Sequence, residues 1–178
     1  MNDRLAKLGT DWRDQVGEAV AWLEPRGFTG RTGLILGSGL GKFADALDGA
    51  EAVDYGEIPG FTTTSVAEHK GRLVVGEAAG RRVLVMQGRL HPYEGLSAET
   101  MLLPTAVLSC LGIGEAVVTN AAGGLNHHYI PGELMVIRDH LDMHLNDPLR
   151  GLLVDAVPPV EAPGRGARPS RAYDTELA

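Results

Sequence analysis

Three short stretches hold the residues of this chain whose types and spacing can do chemistry. The first is Gly37-Ser38-Gly39-Leu40-Gly41, entered directly from the apolar run Leu34-Ile35-Leu36. Glycines leave backbone N–H groups unobstructed, and such a loop at a helix start, with the Ser38 hydroxyl added, suits a small tetrahedral anion. The second is Gln87-Gly-Arg-Leu-His-Pro-Tyr-Glu-Gly95. Arg89 and His91 stand two apart, so in extended chain they point the same way, and Tyr93 continues that face. A guanidinium offers a planar fork for two anion oxygens, and an imidazole donates one more hydrogen bond. The third is Asn120-Ala-Ala-Gly-Gly124, another loop of open backbone following an apolar run. Two such loops and an Arg–His pair are enough to surround one anion.

The spacing excludes two nucleotide loops. A P-loop needs G-x-x-x-x-G-K-[ST], but here Gly41-Lys42 follows Gly37 one residue too soon, and Phe43 stands where the magnesium-binding hydroxyl belongs. A dinucleotide fingerprint needs G-x-G-x-x-G; Gly37 and Gly39 fit, but Lys42 occupies the third position. The first loop taken alone also reads as a tight strand-to-helix turn that needs glycine for its dihedrals. Arg, His, Tyr and Glu together within six residues, Arg89 to Glu94, just past a second strand tip the balance toward an anion site.

The elements that must position these residues follow from periodicity. Trp12, Val16, Val20 and Leu23 recur at helical spacing over Asp11 to Glu24, before Pro25. Thr32 to Leu36 and Ala116 to Thr119 read as buried strands, and Leu134 to Ile137 as one more. Leu40 to Leu47 suits a short helix. Arg72-Leu-Val-Val-Gly and Arg82-Val-Leu-Val-Met flank a turn and read as a β-hairpin. Ser97 to Leu111 reads as a helix with Ser97 as N-cap. Strands alternating with helices and emptying into glycine-rich loops indicate an α/β fold, whose ligands sit beyond the carboxyl ends of the strands.

Composition bounds the function. The chain has 178 residues and a formal net charge of −7, which argues against a nucleic-acid partner. The single cysteine, Cys110, lies among apolar residues and reads as packed core; no intrachain disulfide is possible. No apolar run at the N-terminus resembles a signal peptide, and Met101 to Ile113 is too short to cross a bilayer. No membrane partner and a cytoplasmic location are expected. His140 and His144 stand four apart and His127 and His128 are adjacent, but no third ligand has metal-site spacing, so no metal is expected. Residues 156–170, AVPPVEAPGRGARPS, are rich in Pro, Gly, Ala and Arg and read as a flexible loop.

In order and spacing, LILGSGLG, YGEIPGF (Tyr55–Phe61), HKGRLVVG (His69–Gly76), QGRLHPYEG, VVTNAAGGLN (Val117–Asn126) and VIRDHLD (Val136–Asp142) resemble the purine nucleoside phosphorylases of the trimeric type, over about Thr32 to Gly151. The resemblance implies a phosphorylase/hydrolase-like three-layer α/β domain with a mixed, distorted central sheet, assembled as a homotrimer. It implies phosphorolysis of purine (deoxy)ribonucleosides such as inosine and guanosine. Inorganic phosphate is then the co-substrate, the products are a free purine and (deoxy)ribose 1-phosphate, and no cofactor is needed. Carried over residue by residue, Ser38, His69, Arg89, His91 and the Ala121 backbone N–H match the phosphate ligands, with His91 and His69 in the catalytic set. Tyr93 matches a tyrosine along the ribose, and Glu94 a carboxylate at the edge of the site.

The departures from the family shape the expectation equally. The family's purine-gripping Glu and Asn come later than Ala178, as do a phosphate-site Ser, a Met under the sugar and a second sugar-side His. Glu68 precedes His69 where glycine is common, and Gly164-Arg-Gly-Ala-Arg-Pro lacks the aromatic often found there. Residues 1–178 thus read as a single, incomplete domain whose C-terminal part is missing, with an exposed sheet edge and little or no activity alone. Two alternatives stand beside this reading: a methylthioadenosine phosphorylase, or an inactive phosphate-binding fragment lacking the purine site.

Overall fold

The structure, a computed structural model, describes residues 5, 8–63 and 70–140. His69, His144 and the 156–170 segment lie outside the described residues. Strands β1 (Thr32–Leu36), β2 (Asp48–Asp54), β3 (Arg72–Ala78), β4 (Arg81–Gln87) and β5 (Glu115–Val118) form one mixed sheet in the order β2-β3-β4-β1-β5. β1 runs parallel to β4 on one side and to β5 on the other. β3 is antiparallel to both β2 and β4, and the β2–β3 register shifts between Asp48 and Glu51.

Alternation along the strands sends apolar side chains to both faces. Ile35, Leu73, Val75, Leu84 and Met86 join the larger core cluster, with Val16, Val20 and Leu23 of α1 (Thr10–Leu23) and Leu103, Val107 and Leu108 of α3 (Ala98–Cys110). Leu36, Val74, Val83 and Val85 belong to a second cluster with Leu47 and with Ala44 of the one-turn α2 (Lys42–Asp45). The fold is α/β with a mixed sheet, as the sequence indicates. Ser97 caps α3 by accepting from the Thr100 N–H at 3.2 Å. The β3–β4 hairpin closes through Ala79 and Gly80, both at positive φ, which matches the twist of a two-residue hairpin turn. Cys110 is buried, and no described helix is long and apolar enough to cross a membrane.

Four elements differ from the sequence reading. The helix read over Leu40 to Leu47 shrinks to Lys42–Asp45, because β2 begins at Asp48. β2 itself, DGAEAVD, escapes a periodicity search because only Val53 is buried; it is an edge strand held by pairing with β3 rather than by its own apolar face. β5 forms where expected but is not buried, with Val117 and Val118 53% and 55% exposed, because it lies at the opposite edge of the sheet. Leu134 to Ile137 forms no strand. Leu134, Met135 and Val136 are exposed there and no described strand pairs with them, and an apolar run without a partner has no ladder to join.

Candidate active site

β4, β1 and β5 are adjacent and parallel, so their carboxyl ends lie along one edge of the sheet. Each leads into one of the three stretches singled out above: β4 into Gln87–Gly95, β1 into Gly37–Gly41 and β5, through Thr119, into Asn120–Gly124. This is where open parallel sheets bind ligands.

The β1 loop is a turn in which the Leu40 N–H donates to the Gly37 carbonyl at 3.3 Å, with Gly39 at φ 86°. That dihedral suits the turn position that favours glycine. Ser38 is exposed at its apex. α2 is a single turn, so its dipole adds little, and the loop's value for an anion rests on local N–H groups and the Ser38 hydroxyl. Gly37 is buried against the β5 loop, and a Cβ there would meet the Thr119 carbonyl oxygen at 2.6 Å. The Gly37 N–H donates to Thr119 Oγ1 at 2.9 Å, and the Thr119 hydroxyl reaches the Ile35 carbonyl at 3.3 Å.

The β4 stretch is anchored at its start. Tyr55, fully buried, donates from its hydroxyl to the Gly88 carbonyl at 2.8 Å and packs edge-on against Phe61. Burial pushes the Tyr55 phenol far above its ordinary range, so it stays a neutral donor. Arg89 Nη1 donates to the Thr119 carbonyl at 3.1 Å, which ties the β4 stretch to the β5 loop. His91 then caps a 3₁₀ turn, Pro92–Glu94. The His91 N–H donates to Glu94 Oε1 at 2.8 Å, the same oxygen lies 3.3 Å from His91 Nδ1, and the Glu94 side chain is 4% exposed.

The predicted residues fall into two groups. Arg89, Gly37 and the start of the β5 loop are joined directly by hydrogen bonds. His91, Tyr93 and Glu94 form a second cluster, with the His91 and Tyr93 rings stacked 4.8 Å apart at 16°. Tyr93 does not continue an extended face: the turn beginning at Pro92 brings its ring onto His91 instead. Ala121 follows Thr119 and Asn120 in the exposed β5 loop. His69 lies outside the described residues. Among the described residues no three His, Cys, Asp or Glu side chains group as metal ligands.

The sequence reading assigned no part to three residues: Tyr55, Thr119 and Gln87. Gln87, the last residue of β4, is 1% exposed and donates to the Gly41 carbonyl and to Asp45 Oδ1, while its own carbonyl accepts from Arg72 Nε. Arg72 and Lys70 pair with the two oxygens of Asp45. The hydrogen bond from Lys70, then that from Gln87, holds the Asp45 carboxyl below the usual aspartate range. A polar residue closing an apolar strand just before a glycine was the available signal for Gln87 and, in weaker form, for Thr119.

A profile of the phosphorylase superfamily matches residues 31–177. The chain belongs to the phosphorylase superfamily. This superfamily member is 47% identical over 119 residues to purine nucleoside phosphorylase 1 of Geobacillus stearothermophilus, covering 67% of this chain and 43% of that protein. It is 39% identical over 169 residues to purine nucleoside phosphorylase 1 of Bacillus subtilis, covering 93% of this chain and 60% of that protein. The chain thus spans about half the length of these relatives. A crystal structure of Schistosoma mansoni purine nucleoside phosphorylase with a monocyclic inhibitor superposes with a TM-score of 0.59 at 42% identity, over 64% of this chain and 42% of that one. A purine nucleoside phosphorylase solved with ribose-1-phosphate superposes with a TM-score of 0.58 at 41% identity, over 64% and 42% of the two chains.

Proposed function

We propose that the sheet edge at the ends of β4, β1 and β5 binds inorganic phosphate, and that the whole protein uses it to cleave purine (deoxy)ribonucleosides such as inosine and guanosine. The observation that carries the reading is the convergence of three glycine-containing loops on adjacent parallel strands, with Arg89 bonded to the β5 loop at 3.1 Å. The relatives named purine nucleoside phosphorylase, one solved with ribose-1-phosphate, support the substrate class.

In this reading Ser38, Arg89, His91 and the Ala121 N–H hold the phosphate, with His69 beside it and Tyr93 along the ribose. A phosphate oxygen forms the new bond to C1′ as the bond from C1′ to the purine nitrogen breaks. The electron pair of that bond leaves with the purine, which departs as the free base once protonated. The sugar passes through an oxocarbenium-like state, as in glycoside cleavage. Fixed N–H groups, a guanidinium and a hydroxyl replace the water around the phosphate, and the anion's charge stabilises the positive sugar. Glu94 fixes His91, so the imidazole is aimed before phosphate arrives. No side-chain nucleophile, metal or organic cofactor takes part. A cytoplasmic homotrimer with no nucleic-acid or membrane partner completes the proposal.

Calorimetry of the chain with phosphate, alone and with inosine, tests this. Millimolar or tighter phosphate binding that weakens at least about tenfold in Arg89→Met supports the reading, since charge-assisted contacts are the strong ones. Phosphate binding indifferent to Arg89 overturns it. Cleavage of inosine and guanosine in preference to methylthioadenosine identifies the substrate branch.

A further inference from the structure

Both ends of the Ser38 loop are held by side chains from neighbouring strand ends. At its start the Gly37 N–H donates to Thr119 Oγ1 at 2.9 Å, across 82 residues of sequence. At its finish the Gly41 carbonyl accepts from Gln87 Nε2, across 46 residues. Each clamping group is itself oriented. The Thr119 hydroxyl donates onward to the Ile35 carbonyl, and the Thr119 N–H donates to that same carbonyl at 2.9 Å. The Gln87 carbonyl accepts from Arg72 Nε, and its amide nitrogen also donates to Asp45 Oδ1 at 3.1 Å. Arg72 bonds Asp45 too, so Gln87, Arg72 and Asp45 close a triangle that leaves the amide one orientation. Thr119 does a second task, because its backbone carbonyl takes Arg89 Nη1.

We propose that Thr119 and Gln87 are positioning residues that preorganise the Ser38 loop for phosphate, with Thr119 also setting Arg89 relative to that loop. The inference rests on the phosphate reading of this site and names what makes the site rigid. A loop of three glycines in five residues has high conformational freedom, and ordering it only when the anion arrives would cost affinity. The two clamps place that ordering in the unliganded fold. Neither side chain needs to touch the anion.

The test compares phosphate affinity by calorimetry with thermal unfolding for wild type, Thr119→Val, Thr119→Ser and Gln87→Met. Valine keeps the shape of threonine and removes only the hydroxyl; serine restores the hydroxyl; methionine keeps the length of glutamine without its amide. Thr119→Val and Gln87→Met are each expected to weaken phosphate about three- to tenfold, the scale of one lost hydrogen bond. Thr119→Ser is expected to recover most of the loss. A lower unfolding temperature with unchanged phosphate affinity in both Thr119→Val and Gln87→Met makes the clamps merely structural and overturns the inference. So does an equal loss in Thr119→Ser. If wild type itself fails to bind phosphate, the reading of the site falls and takes this inference with it. Wild-type binding left intact by Thr119→Val and Gln87→Met sinks the inference alone. Should Thr119→Val fail to fold, Gln87→Met decides from the other end of the loop.

Discussion

Glu94 Oε1 accepts the His91 backbone N–H at 2.8 Å and stands 3.3 Å from Nδ1 of the same histidine. One oxygen therefore fixes both the main chain and the ring of a residue proposed to meet phosphate. The turn closes because Pro92 sets its first dihedral and Gly95 ends it at φ 77°.

Glu94→Ala is expected to weaken phosphate binding about three- to tenfold, since the ring loses its orienting partner. Glu94→Gln, whose carbonyl can still accept from the His91 N–H, is expected to retain most of the affinity. Titration calorimetry of the two variants checks this; an alanine variant that binds as wild type does removes Glu94 from the site.

Gly37→Ala is expected to destabilise the chain by about 1–3 kcal/mol, the usual range for overpacking. The new Cβ would sit 2.6 Å from the Thr119 carbonyl oxygen and 3.0 Å from the Asn120 Cα, both backbone atoms that cannot swing aside. Urea unfolding measures the loss, and a change under about 0.5 kcal/mol, the level of an ordinary surface substitution, would show that the two loops separate easily.

Asp45 couples stability to acid. Its folded carboxyl titrates below the ordinary range because Lys70 and Gln87 donate to the charged form. Its contribution is therefore fully present above the unfolded aspartate value near pH 4 and is lost as pH falls through the lower folded value. Asp45→Asn is expected to be less stable at pH 7 and to show a shallower fall in urea midpoint below about pH 4. Parallel acid limbs for wild type and variant would rule out this role.

Tyr55→Phe removes the donor to the Gly88 carbonyl while keeping the ring against Phe61. A loss of about 1–2 kcal/mol is expected, the scale for a buried acceptor left without its partner. Equilibrium unfolding in urea gives the number, and no measurable change would mean that the carbonyl finds another donor.

The chemistry of this protein was legible wherever it is local. A strand running into Gly37-Ser38-Gly39-Leu40-Gly41, an N-cap at Ser97 and a hairpin around Gly80 are encoded within a few residues, where backbone preference and alternation decide the outcome. Arg89 and His91 were found the same way, as polar residues just past the end of an apolar strand. The α/β class follows from the sum of such signals.

Tertiary structure alone decided which strand ends are neighbours. β4 and β5 flank β1 although 27 residues separate Gln87 from Glu115, and that placement brings Arg89 onto the Thr119 carbonyl. It also made Thr119 and Gln87 clamps on a loop far away in sequence, withheld a strand from Leu134 to Ile137, and turned the charged segment Asp48–Asp54 into one. The reason is physical. A loop's dihedrals answer to its own residues, whereas a hydrogen bond across 82 residues exists only once burial of both sheet faces has chosen the strand order.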